Sequence, residues 1–381
     1  MEAAKARKKA QPAVLRNPAK IGRMDFSIVL AVVLLCAVGL VMLFSASYYT
    51  SQEKWDDGLY YVRKQAIYLA LAIPVMLVLT KVDYKLLSKL STPILVISVG
   101  LLIAVLLFGR EEFGAKRWLI IGGQSIQPSE IAKFGLIIYM SAFMAKRPHL
   151  MKDFKMGLLP MLIVMGVICG LVMLQPNMSM AVIMGMMGIV MLYVGGADIK
   201  HIALLMVAGI AAFFVLAFAE PYRVERLMSF RDPWQDPQDT GYQLIQSLYA
   251  LGAGGIFGQG LNNSRQKLLY LTFGESDFVF SIVGEELGFI GAAIIMLLYA
   301  FIVYRGIRVA LKCKDRFGSI LAAGISTVFA LQVLVNIGVV TGAMPTTGQA
   351  LPFISSGGSS LLIFMSAMGV LLNISRHTSD M

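Results

Sequence analysis

Charged residues are unusually few in this 381-residue chain. Only 14% of its residues are charged and 57% are hydrophobic, whereas soluble domains carry about 25% charged residues. A soluble chain of this length would fold as two or three domains, each with its own charged exterior. The composition therefore excludes an ordinary soluble enzyme and a disordered protein, and it predicts a polytopic membrane protein.

Cysteine, histidine and nucleotide-binding motifs are also scarce or missing. The three cysteines show no pairing pattern, which excludes a disulfide framework. The sequence has no His-rich metal cluster, no Walker A motif and no GxGxxG turn that opens a helix. The net charge of +11 is better explained by membrane orientation than by nucleic acid, because Lys and Arg collect in cytoplasmic loops. The sequence predicts a function that draws no energy from nucleotide.

Ten apolar runs lie between the charged residues, and a membrane span needs about 20 such residues. The predicted spans are Phe26–Ser47, Gln65–Thr80, Ser91–Phe108, Ser129–Ala145, Gly157–Leu174, Met178–Val194, His201–Ala219, Asp277–Tyr304, Phe317–Gly342 and Gly358–Ser375. We therefore expect an all-α fold with a basic tail at 1–23 and a ten-helix membrane domain at 24–376.

The basic residues predict the orientation of these spans. Of the 33 Lys and Arg residues, 21 fall on the side of the N-terminus, 11 fall in the opposite loops, and Lys133 lies within a span. Both termini are therefore expected in the cytoplasm. The large loop at 220–276 and the Pro- and Gly-rich loop at 343–357 are then extracytoplasmic. The second is expected to be re-entrant, because non-helical backbone at membrane depth must be covered by protein or line a wet cavity.

The start of the fourth span carries unusual polar residues. Pro128 suits the first turn of a helix, and Glu130 is favoured there by the helix dipole. Lys133 follows three residues later on the same face, inside the apolar run. Two interpretations stay open: a local Glu130–Lys133 pair, or an anion site at the outer membrane face made by Lys133 and Arg117.

The start of the eighth span carries several carboxylates. In a helix that begins at Asp277, Glu285 lies on the same face about 12 Å deeper, and Glu286 points the opposite way. Asp277 is expected to cap the helix, to act as a base at the membrane edge, or to do both. Glu285 and Glu286 either pair with basic groups on neighbouring helices or line a path for a polar headgroup.

The motifs occur in an order that resembles a known family. They are GAKRWL, SIQPSE with Lys133, LQPN, PYR, SFRDPW, GYQLIQSLYA, GGIFGQGL, SRQK, SDFVFSIVGEELGF and NIGVVTGAMPTTGQALPFISSGGSS. From about Asp25 to Arg376 the chain resembles the SEDS family, whose members include FtsW, RodA and SpoVE, and it is most similar to the FtsW/SpoVE branch.

The resemblance implies a multi-pass protein of the bacterial cytoplasmic membrane with an extracytoplasmic active site. Such a glycosyltransferase polymerises lipid II, an undecaprenyl-pyrophosphate-linked disaccharide peptide, into β1,4-linked strands during cell division or sporulation. The reaction is an inverting single displacement. The implied partners are a class B penicillin-binding protein and other division proteins, with no nucleic acid. A lipid II flippase and a non-catalytic scaffold for the penicillin-binding protein remain alternatives.

The resemblance also implies roles for individual residues. The essential acidic residue corresponds to Asp277, which would be the base for the acceptor sugar's 4-hydroxyl. Substrate-binding roles are expected for Arg117, Trp118, Gln127, Ser129, Glu130, Lys133, Arg223, Arg265 and Ser359. The cations among them would stabilise the pyrophosphate, with or without a divalent cation such as Mg2+ or Mn2+. No organic cofactor is implied.

The chain departs from the family pattern in three places. Asn177 stands where Asp is usual after Gln-Pro, and Ser356 stands where Tyr is usual before Gly-Gly. Residues Gly274–Ser276 replace the usual residues before the Asp-Phe pair. The change at Asn177 weakens any claim that a carboxylate is needed there, whereas none of the departures alters Asp277.

Overall fold

The structure, a computed structural model, describes residues 22–112 and 115–378. Most of the predicted basic tail, and Gly114 of the GAKRWL motif, lie outside the described residues. Thirteen α-helices and three short strands occur in the described ranges. The helices are α1 (Phe26–Trp55), α2 (Tyr60–Leu79), α3 (Lys85–Lys89), α4 (Ser91–Phe108), α5 (Pro128–Lys146), α6 (Leu159–Met173), α7 (Met178–Val194), α8 (Ile199–Phe218), α9 (Pro221–Arg231), α10 (Tyr242–Gly254), α11 (Val279–Lys312), α12 (Arg316–Val340) and α13 (Gly358–Ser375).

The long apolar helices confirm the predicted fold class. In the described part of the chain, eight helical segments are long and apolar enough to cross a membrane. They are α1, α2, α4, α8, α11, α12, α13 and the segment Phe154–Met173, in which a π-helical turn leads into α6. The other two predicted spans are also helices: α5 has 19 residues and α7 has 17. The protein is an all-α polytopic membrane protein.

A small sheet interrupts the helical fold between α4 and α5, and the sequence did not predict it. Strands β1 (Arg110–Glu112), β2 (Ala115–Ile121) and β3 (Gln124–Ile126) pair antiparallel in the order β1-β2-β3. The turn between β2 and β3 has two glycines with positive φ, Gly122 and Gly123, as tight hairpin turns require. The sheet lies beside α4 and α5 and so positions the GAKRWL motif at one end of the bundle.

Polar contacts gather at two opposite ends of the helix bundle. At one end, Asp25 before α1 accepts from the guanidinium of Arg305, with Nε 2.6 Å from Oδ2. At the other end, Asn336 in α12 donates to the carbonyl oxygen of Asp277. The helical rise from Arg316 to Asn336, twenty residues further along α12, is about 30 Å, which equals the hydrocarbon thickness of a bilayer. The Arg316 end of α12 and the end that holds Asp277 therefore lie about a membrane thickness apart.

Helix α11 is broken at Gly288, where φ is +67° and ψ is −171°. The preceding loop fills the break: the Gln259 N–H donates to the Glu285 carbonyl at 2.9 Å, and the Phe289 N–H donates to Gly255 at 2.9 Å. A Cβ at position 288 would collide with the backbone of this loop. Glycine is needed here both for the left-handed backbone and for the close approach of the loop.

Beside the break, the adjacent carboxylates of Glu285 and Glu286 bind residues 264–267 of the large loop. Glu286 accepts from the Lys267 ammonium at 3.0 Å and from the Ser45 hydroxyl of α1 at 2.5 Å. Glu285 accepts from the Arg265 N–H at 2.8 Å and from the Ser264 hydroxyl. The pairing interpretation of Glu286 is confirmed, although its cation comes from the large loop rather than from a neighbouring helix.

The predicted geometry at the start of α11 was wrong in two respects. The helix begins at Val279, and the capping position is occupied by Phe278, so Asp277 does not cap it. Glu285 does not line an open path for a headgroup, because Ser264, Arg265 and Gln266 of the large loop bind its oxygens. Periodicity alone could not show that a loop packs against this face.

We expect the Lys267–Glu286 pair to contribute to stability as a unit. Both side chains are almost fully buried, and breaking a buried pair on one side costs about 3–5 kcal/mol. Lys267→Met should therefore lower the melting temperature in detergent. The double variant Lys267→Met/Glu286→Gln should recover most of the loss, because no unpaired charge remains. A double variant no more stable than the single one would contradict this account.

Candidate active site

Asp277 is held against the loop at 343–357 by one side chain of α12. The Nδ2 group of Asn336 donates to the carbonyl oxygen of Asp277 at 2.8 Å and to that of Gln349 at 2.7 Å. Asn336 is buried, and its bond to Gln349 is buried while its bond to Asp277 is partly buried. They join the backbone of Asp277 to the backbone next to Gly348. Oδ2 of Asp277 then lies 3.4 Å from the position that a Cβ on Gly348 would take.

The two residues before Asp277 are held by the same loop. The Ser356 N–H donates to the carbonyl of Glu275 at 2.9 Å, and the Ser355 hydroxyl donates to the carbonyl of Ser276 at 2.6 Å. Together with the Asn336 bond, three successive carbonyl groups are fixed. The backbone that carries Asp277 is therefore preorganised, although it belongs to neither helix nor strand.

The charges around Asp277 adjust its acidity. Burial, and after it the Glu275 carboxylate, raises the pKa of the Asp277 carboxyl to about 7 from an ordinary 3.8, while Arg226 and Arg117 act to lower it. A carboxyl with a pKa near neutrality is suited to accept a proton at physiological pH. The site thus holds a carboxyl group with a pKa near neutrality, on which two guanidinium groups act electrostatically.

Arg117 reaches this region from strand β2. Its Nε donates to the carbonyl of Gln175 at 3.2 Å, and its Nη2 donates to that of Pro176, so β2 is tied to the turn between α6 and α7. Asn177 caps α7 by accepting from the Met180 N–H. A carboxamide performs this capping role as well as a carboxylate, which gives a structural reason for the departure at position 177.

Lys133 is fully buried and has protein partners. Its ammonium lies 2.8 Å from Glu130 Oε2 and 2.6 Å from Gln332 Oε1, and it stands 4.7 Å above the ring of Phe364. The local Glu130–Lys133 pair is confirmed. Gln332 also donates to the carbonyl of Ala350 at 3.1 Å, so the pair is linked to the loop that supports Asp277. A direct contact between Lys133 and an anion stays a prediction.

The remaining predicted site residues lie in different places. Trp118 is half-buried in β2, Gln127 precedes α5, and Ser129 in its first turn has a buried hydroxyl without a hydrogen-bond partner among the described residues. Ser359 is buried in the first turn of α13.

Two predicted cations lie in the large loop and contact the helices on either side of it. Arg223 in α9 donates to the carbonyl of Leu216 at 2.8 Å. Arg265 is exposed, and its N–H binds Glu285. The cations whose fields act on Asp277 are instead Arg226 and Arg117.

Several residues of the site were missed by sequence reasoning. They are Arg226, Glu275, Gln332, Asn336, Gly348 and Ser355. One signal was present: Gln332 and Asn336 are four residues apart, on one face of an otherwise apolar span, and polar residues within spans are often functional. The others depend on how a non-helical loop packs, which no periodicity reports.

The residues at Asp277 do not form a metal site by themselves. Within residues 22–112 and 115–378, no group of three or more His, Cys, Asp or Glu side chains is placed to hold a metal ion. The charges acting on Asp277 are one carboxylate, Glu275, and two guanidinium groups, whereas Mg2+ and Mn2+ prefer several oxygen ligands. This donor set does not fit an ion held by protein alone.

Comparisons with known proteins agree with this architecture. Residues 26–380 match the family described as "Cell cycle protein", that of FtsW, RodA and SpoVE. The chain is 40% identical to stage V sporulation protein E of Bacillus subtilis, covering 93% of this chain and 97% of that protein. It is also 40% identical to a probable peptidoglycan glycosyltransferase FtsW of Geobacter sulfurreducens, covering 94% and 97%.

A solved structure has the same fold. It was reported for "Structural coordination of polymerization and crosslinking by a peptidoglycan synthase complex". The match has a TM-score of 0.76 at 28% sequence identity. The match covers 93% of this chain and 98% of the other. Because the sequence matches also extend over nearly the whole length, the chain belongs to the SEDS family of FtsW, RodA and SpoVE.

Proposed function

We propose that this protein polymerises lipid II into β1,4-linked glycan strands at the outer face of the bacterial cytoplasmic membrane. Its family membership, and relatives named probable peptidoglycan glycosyltransferases at 40% identity, make it an enzyme of that class. The observation that carries the finer proposal is the Asp277 carboxyl, held in place by Asn336 and poised near neutral pKa.

In the proposed reaction Asp277 is the general base. The carboxylate takes the proton of the acceptor sugar's 4-hydroxyl, and the hydroxyl oxygen attacks the anomeric carbon of the donor. The bond from that carbon to the pyrophosphate oxygen breaks, and undecaprenyl pyrophosphate leaves with the electron pair. An α-linked donor becomes a β1,4 linkage in one displacement. No protein acid is needed for the leaving group, whereas an inverting hydrolase pairs an acid with its base.

Cations near the base would stabilise the departing pyrophosphate. Arg117 and Arg226 act on Asp277 electrostatically, so an anion bound near this carboxyl would lie in their field. Arg223 and Arg265 belong to the same large loop region and remain proposed contacts for more distant parts of the substrate. Lys133 contributes either its charge or its support of the loop, and the variants described below separate the two.

The arrangement of the bundle supports the proposed orientation. Asp277 lies at the end of the bundle opposite Asp25 and Arg305, and the loops on the side of Arg305 carry most basic residues. We propose that both termini are cytoplasmic and that Asp277 is extracytoplasmic. A class B penicillin-binding protein is the proposed partner, since the similar solved structure couples polymerization to crosslinking. The proposed context is division or sporulation.

Asp277→Asn should abolish strand formation. The substitution keeps the backbone carbonyl bound to Asn336 but removes the base, and general bases contribute about 100- to 10,000-fold to rate. The assay uses purified protein with its partner and labelled lipid II in detergent, where flipping cannot contribute. Asp239→Asn, which alters an exposed carboxylate of the same large loop, is the matched control and should retain the rate.

Normal strand formation by Asp277→Asn would show that Asp277 is not the base. If neither the wild type nor Asp239→Asn makes strands, the scaffold alternative is favoured. Transport of lipid II across vesicles that survives Asp277→Asn, without strand formation by the wild type, would favour the flippase.

The rate of polymerisation should rise with pH through about 7. Below its pKa the Asp277 carboxyl holds its proton and cannot accept another; above it the carboxylate is free. Glu275→Gln removes a charge that raises this pKa, so the midpoint should move to lower pH. Arg226→Gln removes a charge that lowers it, so the midpoint should move to higher pH. Shifts in the same direction for both variants would refute the electrostatic account.

The role of Lys133 can be separated from its pairing. Lys133→Met leaves Glu130 buried without its cation and should lower stability by about 3–5 kcal/mol. Glu130→Gln/Lys133→Met removes both charges and should restore the melting temperature. We expect polymerisation to stay reduced in the double variant, because the positive charge acts on the anionic substrate. Full recovery of activity together with stability would show that Lys133 serves structure alone.

A further inference from the structure

Gly348 is exposed, whereas two of the residues that follow it in the same loop are buried. Gln349 and Leu351, which follow it, are both buried, whereas Gly348 itself is exposed. A Cβ built on Gly348 would have a single described heavy atom within 4 Å, Oδ2 of Asp277 at 3.4 Å. The missing side chain of Gly348 therefore leaves open space directly beside the carboxylate.

The backbone does not explain why this position is glycine. The nearby Gly342 has a φ of +69°, where a side chain would be strained, whereas Gly348 lies outside the left-handed region. A Cβ at 3.4 Å from a carboxylate oxygen is also an ordinary van der Waals contact. Alanine would thus fit position 348 in the folded protein, and its methyl group would occupy the space in front of Asp277.

Asn336 fixes the distance between Asp277 and Gly348. Its amide binds the carbonyl of Asp277 and that of Gln349, the residue after Gly348, while Gln332 binds the carbonyl of Ala350. The backbone of Asp277 and the backbone next to Gly348 therefore cannot separate without breaking these hydrogen bonds. A ligand that enters the space over Gly348 would meet Oδ2 at a defined place.

We propose that the acceptor hydroxyl reaches Oδ2 of Asp277 across Gly348, so that the missing side chain at position 348 admits the acceptor sugar. A hydroxyl bonded to a carboxylate has its oxygen about 2.6 Å away, so the acceptor competes for the volume that a side chain on residue 348 would fill. This inference rests on the proposed function and names the residue that determines access for the hydroxyl-bearing substrate.

A size series at position 348 tests this inference. Gly348→Ala should slow strand formation moderately, and Gly348→Leu should slow it about 100-fold, because displacing a reacting group by about 1 Å costs about that much. The measurements are the initial rate against lipid II concentration in detergent and the melting temperature. The apparent KM should rise with side-chain size while the melting temperature stays constant.

Gly252→Leu is the matched control. Gly252 is exposed in α10, and a Cβ built there would have nothing within 4 Å, so a leucine there should leave the rate unchanged.

If Gly348→Leu fails to fold, the comparison of Gly348→Ala with the wild type decides, because alanine makes only an ordinary contact. A wild-type rate and KM in the folded variants would overturn the inference. If Asp277→Asn is inactive while the size series is flat, only this inference fails; if Asp277→Asn is active, the proposed base fails as well.

Discussion

The amide of Asn336 is the contact on which the proposed site depends. It binds two carbonyl groups at once, one on Asp277 and one on Gln349. Neither carbonyl belongs to a helix or a strand, and in a bundle of membrane helices such groups must find partners within the protein. Gln332, Ser355 and Tyr299 provide further partners for this backbone. The requirement to satisfy a buried, irregular loop therefore also holds the candidate base in place.

The few charged residues of the chain serve distinct purposes at different depths. The buried Lys267–Glu286 pair fastens the large loop to α11. Lys133, paired with Glu130 within α5, also donates to Gln332 and so joins α5 to α12. Burial and, after it, the Glu275 carboxylate raise the pKa of Asp277 to about 7, while Arg226 and Arg117 act to lower it. The net charge of +11 reflects mainly the loops at the opposite end. Substrate binding must therefore come from a few placed residues rather than from a generally basic surface.

Sequence reasoning predicted the parts of the protein that depend on local chemistry. Ten apolar runs correspond to helices, and the spacing of Glu130 and Lys133 gave the observed pair. It failed where distant segments meet. The break at Gly288 exists because a loop supplies replacement hydrogen bonds, and neither the partner of Glu286 nor the bridge of Asn336 has a periodic signature. The expectation that Asp277 caps α11 failed for the same reason, since its carboxylate faces the loop at Gly348.

The central claim is that Asp277 is a base with a pKa near neutrality. The most direct measurement is an infrared titration of the carboxyl band in the purified protein, taken as the difference between the wild type and Asp277→Asn. The account predicts one carboxyl that titrates near pH 7 and is absent from the variant. A difference band that titrates near the ordinary value of 3.8 would contradict it.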